Sequence, residues 1–216
     1  MDLMRELITT CVVNNIPILF EPTSVPKSLE LLKSINDVIK SGTFGSSHKL
    51  VDYITPNTYE LAAMANFAAE HCLAPKGVPS PAVVDRHIAT NPDLDPQIVA
   101  NALTLSYVSS ALIIKLGAKG SVVVSPIHGD LVEVEMRHIL PITVESVVNS
   151  NGAGDSLVGG ILAGLAGLKG FDGPGMPFVT STQLEGIVAR AQRAAVASLQ
   201  SQQSVSDEIC PEMLLA

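Results

Sequence analysis

The chain has 216 residues, of which 47% are hydrophobic and 16% are charged, and its formal net charge is −8. This length and composition fit one α/β domain with a buried core, and the negative charge argues against a nucleic-acid polymer as partner, because a polyanion needs a basic face. No apolar run reaches the roughly 18 residues of a membrane span. The start, MDLMRELITT, resembles neither a signal nor a transit peptide, and the three widely spaced cysteines favour reduced thiols of a cytoplasmic protein over disulfides or zinc.

Helix-like and strand-like segments alternate along the chain, judged by the spacing of apolar residues. In chain order we predict helix 3–14, strand 16–20, helix 26–39, strand 51–55, helix 57–70, helix 96–107, strands 111–115, 120–125 and 131–136, an extended segment 143–148, and helices 153–168 and 182–199. Ser24 and Asn57 are available as N-caps of their helices. A turn at Gly129-Asp130 indicates a hairpin, and residues 73–95, rich in Pro, Ala and Asn, are predicted to form a surface insertion around one short helical piece.

This alternation predicts a three-layer α/β/α, Rossmann-like sheet within a single domain spanning residues 1–216. In such sheets ligands bind beyond the carboxyl ends of the strands. Three polar motifs fall just there, at 56–60, 115–120 and 149–155. The sequence therefore predicts one functional site built from these three motifs.

The sharpest motif is the segment 149–155, NSNGAGD, which runs from an extended stretch into a helix. Its small residues let the backbone approach a ligand, and the N–H groups of Gly152, Ala153 and Gly154 at the helix start form an anion hole for a phosphoryl group. Asp155, in the first turn, can accept the proton of an attacking hydroxyl. The alternative is a tight turn in which Asp155 is an ordinary first-turn acid. A dinucleotide-binding G-x-G-x-x-G is disfavoured, because the third glycine is missing and the motif lies late in the chain.

This motif resembles the C-terminal signature of the PfkB (ribokinase-like) carbohydrate kinases, D-[ST]-x-G-A-G-D followed by a helix of small residues. The matching positions here are Ser150, Gly152 to Asp155, Gly159 and Gly160. The resemblance implies that Asp155 is the general base and that the N–H groups of Gly152 to Asp155 form the anion hole. Asn149 stands where Asp is usual, a departure that implies a weakened site for the monovalent cation held nearby in many relatives.

A second motif is the pair Asn57 and Glu60, three residues apart at a helix start. On the residues alone it reads as a capping box. The family resemblance implies a further role, in which the N-x-x-E pair helps to place Mg²⁺ and the ATP phosphates, with Glu60 reaching the metal through water. One Glu and one Asn are chemically adequate, since Mg²⁺ keeps several of its own waters.

Two more segments resemble nucleotide contacts of the family. Lys115, Gly117 and Gly120 lie in a turn similar to the family's T-x-G-x-x-G, which contacts the nucleotide phosphates and ribose, with Lys115 in place of the usual Thr. A simple glycine hairpin explains this turn equally well. Gln192 lies in a stretch, QRAAVA, that resembles the final helix closing the adenine pocket, although its small residues also fit plain helix packing.

Several segments are more specifically similar to pseudouridine kinases, including the kinase half of fungal pseudouridine-metabolising bifunctional proteins. These segments are Glu21 to Ser28, Ile54 to Asn57, Lys115 to Gly117 and Asn151-Gly152. The similarity implies phosphorylation of the 5′-hydroxyl of pseudouridine by Mg-ATP, with a pseudouridine-5′-phosphate glycosidase as a fused or separate partner, and it leaves homo-oligomerisation open.

The family's N-terminal signature and lid strands are not recognised in the chain. The resemblance therefore implies the C-terminal, nucleotide-binding part of such a kinase, lacking the N-terminal lid part and with little turnover on its own. Another PfkB sugar kinase, ribokinase-like or fructokinase-like, and a non-catalytic nucleotide-binding fragment are the alternatives.

Overall fold

The computed structural model describes residues 3–42, 44, 49–127, 130–168 and 179–215. Its helices and strands are, in chain order, α1 (Leu3–Val13), β1 (Leu19–Phe20), α2 (Val25–Lys40), β2 (Val51–Ile54), α3 (Thr58–Glu70), α4 (Pro81–Thr90), α5 (Pro96–Leu105), β3 (Ser109–Lys115), a 3₁₀ turn (Gly117–Lys119), β4 (Ser121–Ile127), β5 (Asp130–Ile139), α6 (Ala153–Ala166), α7 (Ser181–Leu199) and α8 (Glu212–Leu215).

The strands form one five-stranded sheet in the order β1-β2-β3-β4-β5. The first three strands are parallel, whereas β4 is antiparallel to both of its neighbours. The predicted hairpin of β4 and β5 is confirmed by the pairing of Val123 with Arg137, while Gly129 of its predicted turn lies outside the described residues. As a result, the carboxyl ends of β1, β2 and β3 meet at one edge, together with the start of β4.

Side chains of the strands alternate between two cores, one on each face of the sheet, as the period of two requires. On one face Leu112, Ile114 and Val122 are fully buried under α1, α2, α3 and α5. On the other face Ile113 and Val123 pack against α6 and α7. The predicted three-layer α/β/α architecture is confirmed.

The segment 73–95, predicted as a surface insertion, contains α4 and is anchored at its ends. Ala74 and Leu94 are buried. Asn91 is also buried, and its amide donates to Met136 O at 3.2 Å and accepts from His138 N at 3.3 Å. Short polar side chains of this kind satisfy backbone groups that a helix end leaves open, and here they tie the end of α4 to β5.

One local expectation, the cap at Ser24, needs correction. Ser24 occupies the N-cap position of α2, but its side chain makes no capping hydrogen bond. The segment 143–148 pairs with no strand of the described sheet; beyond it the N–H groups of Val148 and Asn149 donate to Leu199 O, at 2.8 and 3.2 Å. This carbonyl is free at the end of α7 because the last carbonyls of a helix lack helical partners. The short helix α8 was not predicted. No described helix is long and apolar enough to cross a membrane.

Candidate active site

Three side chains from the carboxyl ends of β1, β2 and β3 form a polar cluster. Glu21 makes an ion pair with Lys115 through one carboxylate oxygen and accepts a hydrogen bond from the Thr55 hydroxyl at the other. The side chains of Lys115 and Glu21 are only 15% and 18% exposed, and Thr55 is fully buried. The ammonium group is therefore held in one place at the edge of the sheet, because both oxygens of its partner are fixed.

The Lys115 ammonium lies beside the start of α6. A Cβ atom built on Gly154 would be 3.9 Å from Lys115 Nζ, and no other described atom beyond its chain neighbours and its own helix backbone would come within 4 Å of it. A helix N-terminus carries a partial positive charge, so a neighbouring cation is repelled unless an anion offsets it. Glu21 supplies one negative charge, and the open space at Gly154 has room for a second anion.

The start of α6 is built so that its backbone N–H groups remain open. Gly152 is the N-cap in a left-handed conformation (φ 77°), and a side chain there would overlap the backbone of Ser204. No side chain caps this helix, and no described residue accepts a hydrogen bond from the N–H groups of Ala153, Gly154 or Asp155. Unpartnered N–H groups at a helix start are an anion-binding arrangement.

Asp155 is the third residue of α6 and is exposed. No residue in the described part of the chain donates a hydrogen bond to its carboxylate, so it does not fold back onto its own helix start as a capping acid would. A free carboxylate next to an anion site can accept a proton from a hydroxyl that attacks a bound phosphate.

Asn57 and Glu60 form the capping box that the sequence allowed. The Asn57 side chain accepts from Glu60 N at 3.0 Å, and Glu60 Oε2 accepts from Asn57 N at 2.8 Å. The pair lies next to Lys115, whose N–H donates to Pro56 O at 2.8 Å. Capping occupies only one oxygen of Glu60, because no described residue donates to its Oε1. Capping and a water-mediated metal contact are therefore compatible.

The turn after β3 carries two glycines with different surroundings. Gly117 is exposed, and a Cβ there would meet nothing within 4 Å. Gly120 has φ 85°, and a Cβ there would overlap Ile139 O at the end of β5. Close backbone packing alone thus requires glycine at 120, which favours the hairpin interpretation at this position and leaves Gly117 accessible to a ligand.

Gln192 lies on α7 and is buried, with 7% of its surface exposed. Its Oε1 accepts from Ile142 N at 3.1 Å, which fastens the segment after β5 onto α7. Its Nε2 is buried without a hydrogen-bond partner among the described residues. Among the described residues, no hydrogen bond links Gln192 to Lys115, Asn57 or Gly154, so its observed contact is one of packing.

The donor sets at this edge differ in what they can hold. The described residues contain no group of three or more His, Cys, Asp or Glu side chains able to hold a metal ion. Glu60 nevertheless fits Mg²⁺, which is bound by one or two carboxylates together with water and substrate phosphates. A monovalent cation is not favoured at Asn149, because the side chain is a neutral amide that already bonds to the backbone: Oδ1 accepts from Asn151 N at 3.0 Å and Nδ2 donates to Gln202 O at 3.3 Å.

A cleft of about 450 Å³ lies elsewhere, between α4, α5 and the β4–β5 hairpin. Its walls include His87, Tyr107 and Met136, at the end of the sheet where β3 begins. Burial, with a smaller contribution from Arg86, lowers the pKa of His87. The cleft is thus remote from Lys115 and Gly154.

Sequence reasoning identified Lys115, Asn57 and Gly154, which the fold brings together, but missed Glu21 and Thr55. The signal was present, since both residues directly follow parallel strands, where ligand sites of such sheets form. What the sequence could not supply was the pairing of Glu21 with Lys115, which depends on β1, β2 and β3 being neighbours in register.

The chain was compared with known protein families and with curated proteins. The profile of the pfkB family carbohydrate kinases matches residues 46–209. None of the curated proteins compared with the chain matches it.

Solved structures with a similar fold include three kinases. They are a ribokinase from Thermotoga maritima (18% identity, TM-score 0.54, covering 95% of this chain and 50% of that one), an aminoimidazole riboside kinase from Salmonella enterica complexed with aminoimidazole riboside and an ATP analog (15%, 0.59, 98% and 55%), and phosphofructokinase-2 from Escherichia coli in complex with potassium (18%, 0.54, 94% and 47%). At these identities the likeness is one of fold. The chain spans about half the length of these structures.

Proposed function

Because the chain belongs to the pfkB family of carbohydrate kinases, we propose that it forms the nucleotide-binding, catalytic part of a kinase that transfers phosphate from ATP to a hydroxyl group of a sugar or nucleoside. The observation that carries this proposal is the set of open N–H groups at the start of α6, with the Lys115 ammonium beside Gly154 and the unpaired carboxylate of Asp155 one residue further. An anion site next to a free base is the minimum that phosphoryl transfer requires.

In this proposal the transferred phosphoryl group lies over the start of α6. The N–H groups of Ala153, Gly154 and Asp155 donate to its oxygens, and Lys115 adds a full positive charge beside Gly154. Such preorganised donors stabilise charge where it develops in the transition state and need no rearrangement during the reaction. Glu21 and Thr55 act through Lys115 by holding its ammonium group in place.

Asp155 is the proposed general base. Its carboxylate accepts the proton of the acceptor hydroxyl as the oxygen of that hydroxyl attacks the phosphorus. Its position in the first turn of α6 places base and anion site on the same rigid element, which keeps their separation fixed.

Mg²⁺ and the adenosine part of ATP are assigned to the neighbouring residues. Glu60 offers Oε1 toward a metal through water while Oε2 keeps the cap of α3. When bound, Mg²⁺ supplies neutralisation of the phosphate charge. Gly117, exposed in the turn after β3, offers backbone for the ribose or phosphates. Gln192 is assigned to the adenine side of the site on the family resemblance alone.

For the acceptor we propose the 5′-hydroxyl of pseudouridine, supported by the similarity of the segments around Glu21, Asn57 and Lys115 to pseudouridine kinases. A ribokinase-like or fructokinase-like sugar acceptor is the alternative within the same family. The three cysteines are unpaired, which supports a reducing, cytoplasmic setting, and a pseudouridine-5′-phosphate glycosidase is the partner that would consume the product.

One observation favours a second function, a nucleotide-binding fragment with little turnover. The chain covers only about half of the length of each solved kinase, and efficient transfer to a hydroxyl needs elements that exclude water and align the acceptor. We therefore expect the 216 residues alone to bind Mg-ATP and to phosphorylate nucleosides slowly or not at all.

Asp155→Asn tests the proposed function. Asn keeps the volume of the side chain and the helix start but cannot take the hydroxyl proton. In the full gene product that contains these residues, we expect turnover to fall by about 10²- to 10⁴-fold, with Mg-ATP affinity by calorimetry nearly unchanged. Near-normal turnover in the variant would show that another group is the base.

A further inference from the structure

We propose that the side-chain amide of Asn149 replaces a monovalent cation, so that this chain positions its phosphate-binding loop without potassium. The proposal rests on the proposed function only in taking the loop before α6 to bind phosphate. The contacts from which it is argued are present in the structure whatever the loop binds. Its starting point is that phosphofructokinase-2, a solved structure of the same fold, was determined in complex with potassium, whereas residue 149 of this chain presents a neutral amide that already bonds to Asn151 N and Gln202 O.

The loop before α6 is fastened to the segment that follows α7. The N–H groups of Val148 and Asn149 donate to Leu199 O, and Gly152 packs directly on the backbone of Ser204. Deeper in the interface, the hydroxyls of Ser156 and Ser198 are 2.7 Å apart and both residues are buried. The position of the N–H groups at the start of α6 therefore depends on the contact between these two segments.

Asn149 contributes an exposed hydrogen bond to the contact between the loop before α6 and the segment after α7. Its Nδ2 donates to Gln202 O at 3.3 Å, and its Oδ1 accepts from Asn151 N at 3.0 Å. The orientation of the amide is fixed by its neighbours, because a backbone carbonyl can only accept and a backbone N–H can only donate. One side chain thus links the phosphate-binding loop both to itself and to the opposite segment.

An aspartate at this position would change the chemistry of the link. The same geometry would place a carboxylate oxygen where Nδ2 now lies, about 3.3 Å from Gln202 O, and two acceptors without a proton between them repel each other. A cation between the two oxygens would remove that repulsion. The side-chain Nδ2–H of Asn149 removes the repulsion without any ion. Compared with an aspartate and its bound cation, the amide leaves the local charge unchanged, since one negative and one positive charge are absent together.

The test compares the chain with Asn149→Asp and Asn149→Ala in potassium chloride and in choline chloride at equal ionic strength. Two quantities are measured, the thermal unfolding temperature and the affinity for Mg-ATP by calorimetry. For the unmodified chain we expect both to be the same in the two salts. For Asn149→Asp we expect a lower unfolding temperature in choline that potassium restores, and an ATP affinity raised by potassium about 5- to 100-fold, the usual range for coupled sites.

Asn149→Ala is the matched control, because it removes the link without creating an acceptor pair. It should lower the unfolding temperature equally in both salts. The proposal is overturned if potassium raises the unfolding temperature or ATP affinity of the unmodified chain, or if Asn149→Asp is indifferent to potassium. If ATP binds in neither salt, the proposed function fails, while the unfolding temperatures still decide between the amide link and a cation.

Discussion

Lys115 is a charged residue at a position where its charge is unfavourable without a partner. Its ammonium lies beside Gly154 at the positive end of α6, where repulsion from the helix dipole costs about 0.3–1 kcal/mol. Glu21 offsets this cost and is itself held by Thr55. A phosphate bound at the start of α6 would contact the same ammonium. The ion pair with Glu21 therefore keeps the Lys115 ammonium next to the proposed phosphate site.

Replacing this cation should weaken nucleotide binding specifically. For Lys115→Met we expect Mg-ATP affinity to fall about 10- to 100-fold, which corresponds to the 1.5–3 kcal/mol of a hydrogen bond to a charged group. Lys119→Met is the control, since Lys119 is exposed in the same turn and its replacement changes the net charge equally. Isothermal titration of both variants at one salt concentration checks this, and equal losses would indicate a general charge effect.

The sequence predicts the contacts of a residue correctly where its partners are close along the chain. The capping box of Asn57 and Glu60 and the helix start at Gly152 follow from spacing, and both are present. The contacts of Glu21 with Lys115 and of Gly152 with Ser204 join positions far apart in sequence. Such contacts depend on strand register and loop packing, which no local pattern specifies.

At the scale of elements, the position of α6 is set by its contact with α7. A Cβ on Gly160 would lie 2.9 Å from Ala191 Cβ, and one on Gly164 would lie 2.7 Å from Ile187 Cγ2. These distances are shorter than van der Waals contact, so the two helices approach closely only because these positions lack side chains. The small residues of the signature motif therefore serve packing as well as ligand approach.

A side chain at this contact should destabilise the fold. We expect Gly160→Val to lower the free energy of unfolding by about 1–3 kcal/mol, the usual cost of overpacking a core. Gly159→Val is the matched control on the same helix, because Gly159 is exposed and a Cβ there meets nothing within 4 Å. Its stability should be unchanged or slightly higher, since valine restricts the unfolded chain more than glycine does. Urea unfolding of the two variants measures the difference.

Elements with a strong apolar period were predicted close to their observed bounds, as α2 and α7 illustrate. The sequence was less informative where side chains serve backbone groups at a distance. The end of α4 is held by Asn91 against β5, and the backbone at 148–149 is satisfied by Leu199. Neither link has a periodic signature, so neither could be predicted from the spacing of apolar residues.

At the scale of the whole molecule, the sheet gathers the site from four separate regions of the chain. Glu21, Thr55 and Lys115 lie at the carboxyl ends of three neighbouring parallel strands, and Gly154 lies in the helix layer that contains α6 and α7. The cleft beside α4 and α5 lies at the opposite end of the sheet. The proposed phosphate site is thus supported by charge and by free hydrogen-bonding groups at the edge where these strands end.

The central claim is that ATP phosphates bind against the backbone at the start of α6. The most direct measurement is calorimetric Mg-ATP affinity for Gly154→Val beside Gly159→Val. Gly154 has only Lys115 Nζ near its Cβ position, at 3.9 Å, so the substitution leaves the fold intact while filling the phosphate space. We predict that Gly154→Val loses Mg-ATP affinity by at least about tenfold, in line with the loss of one or two hydrogen bonds to a charged group, and that Gly159→Val binds like the unmodified chain. Equal affinities for the two variants would contradict the account.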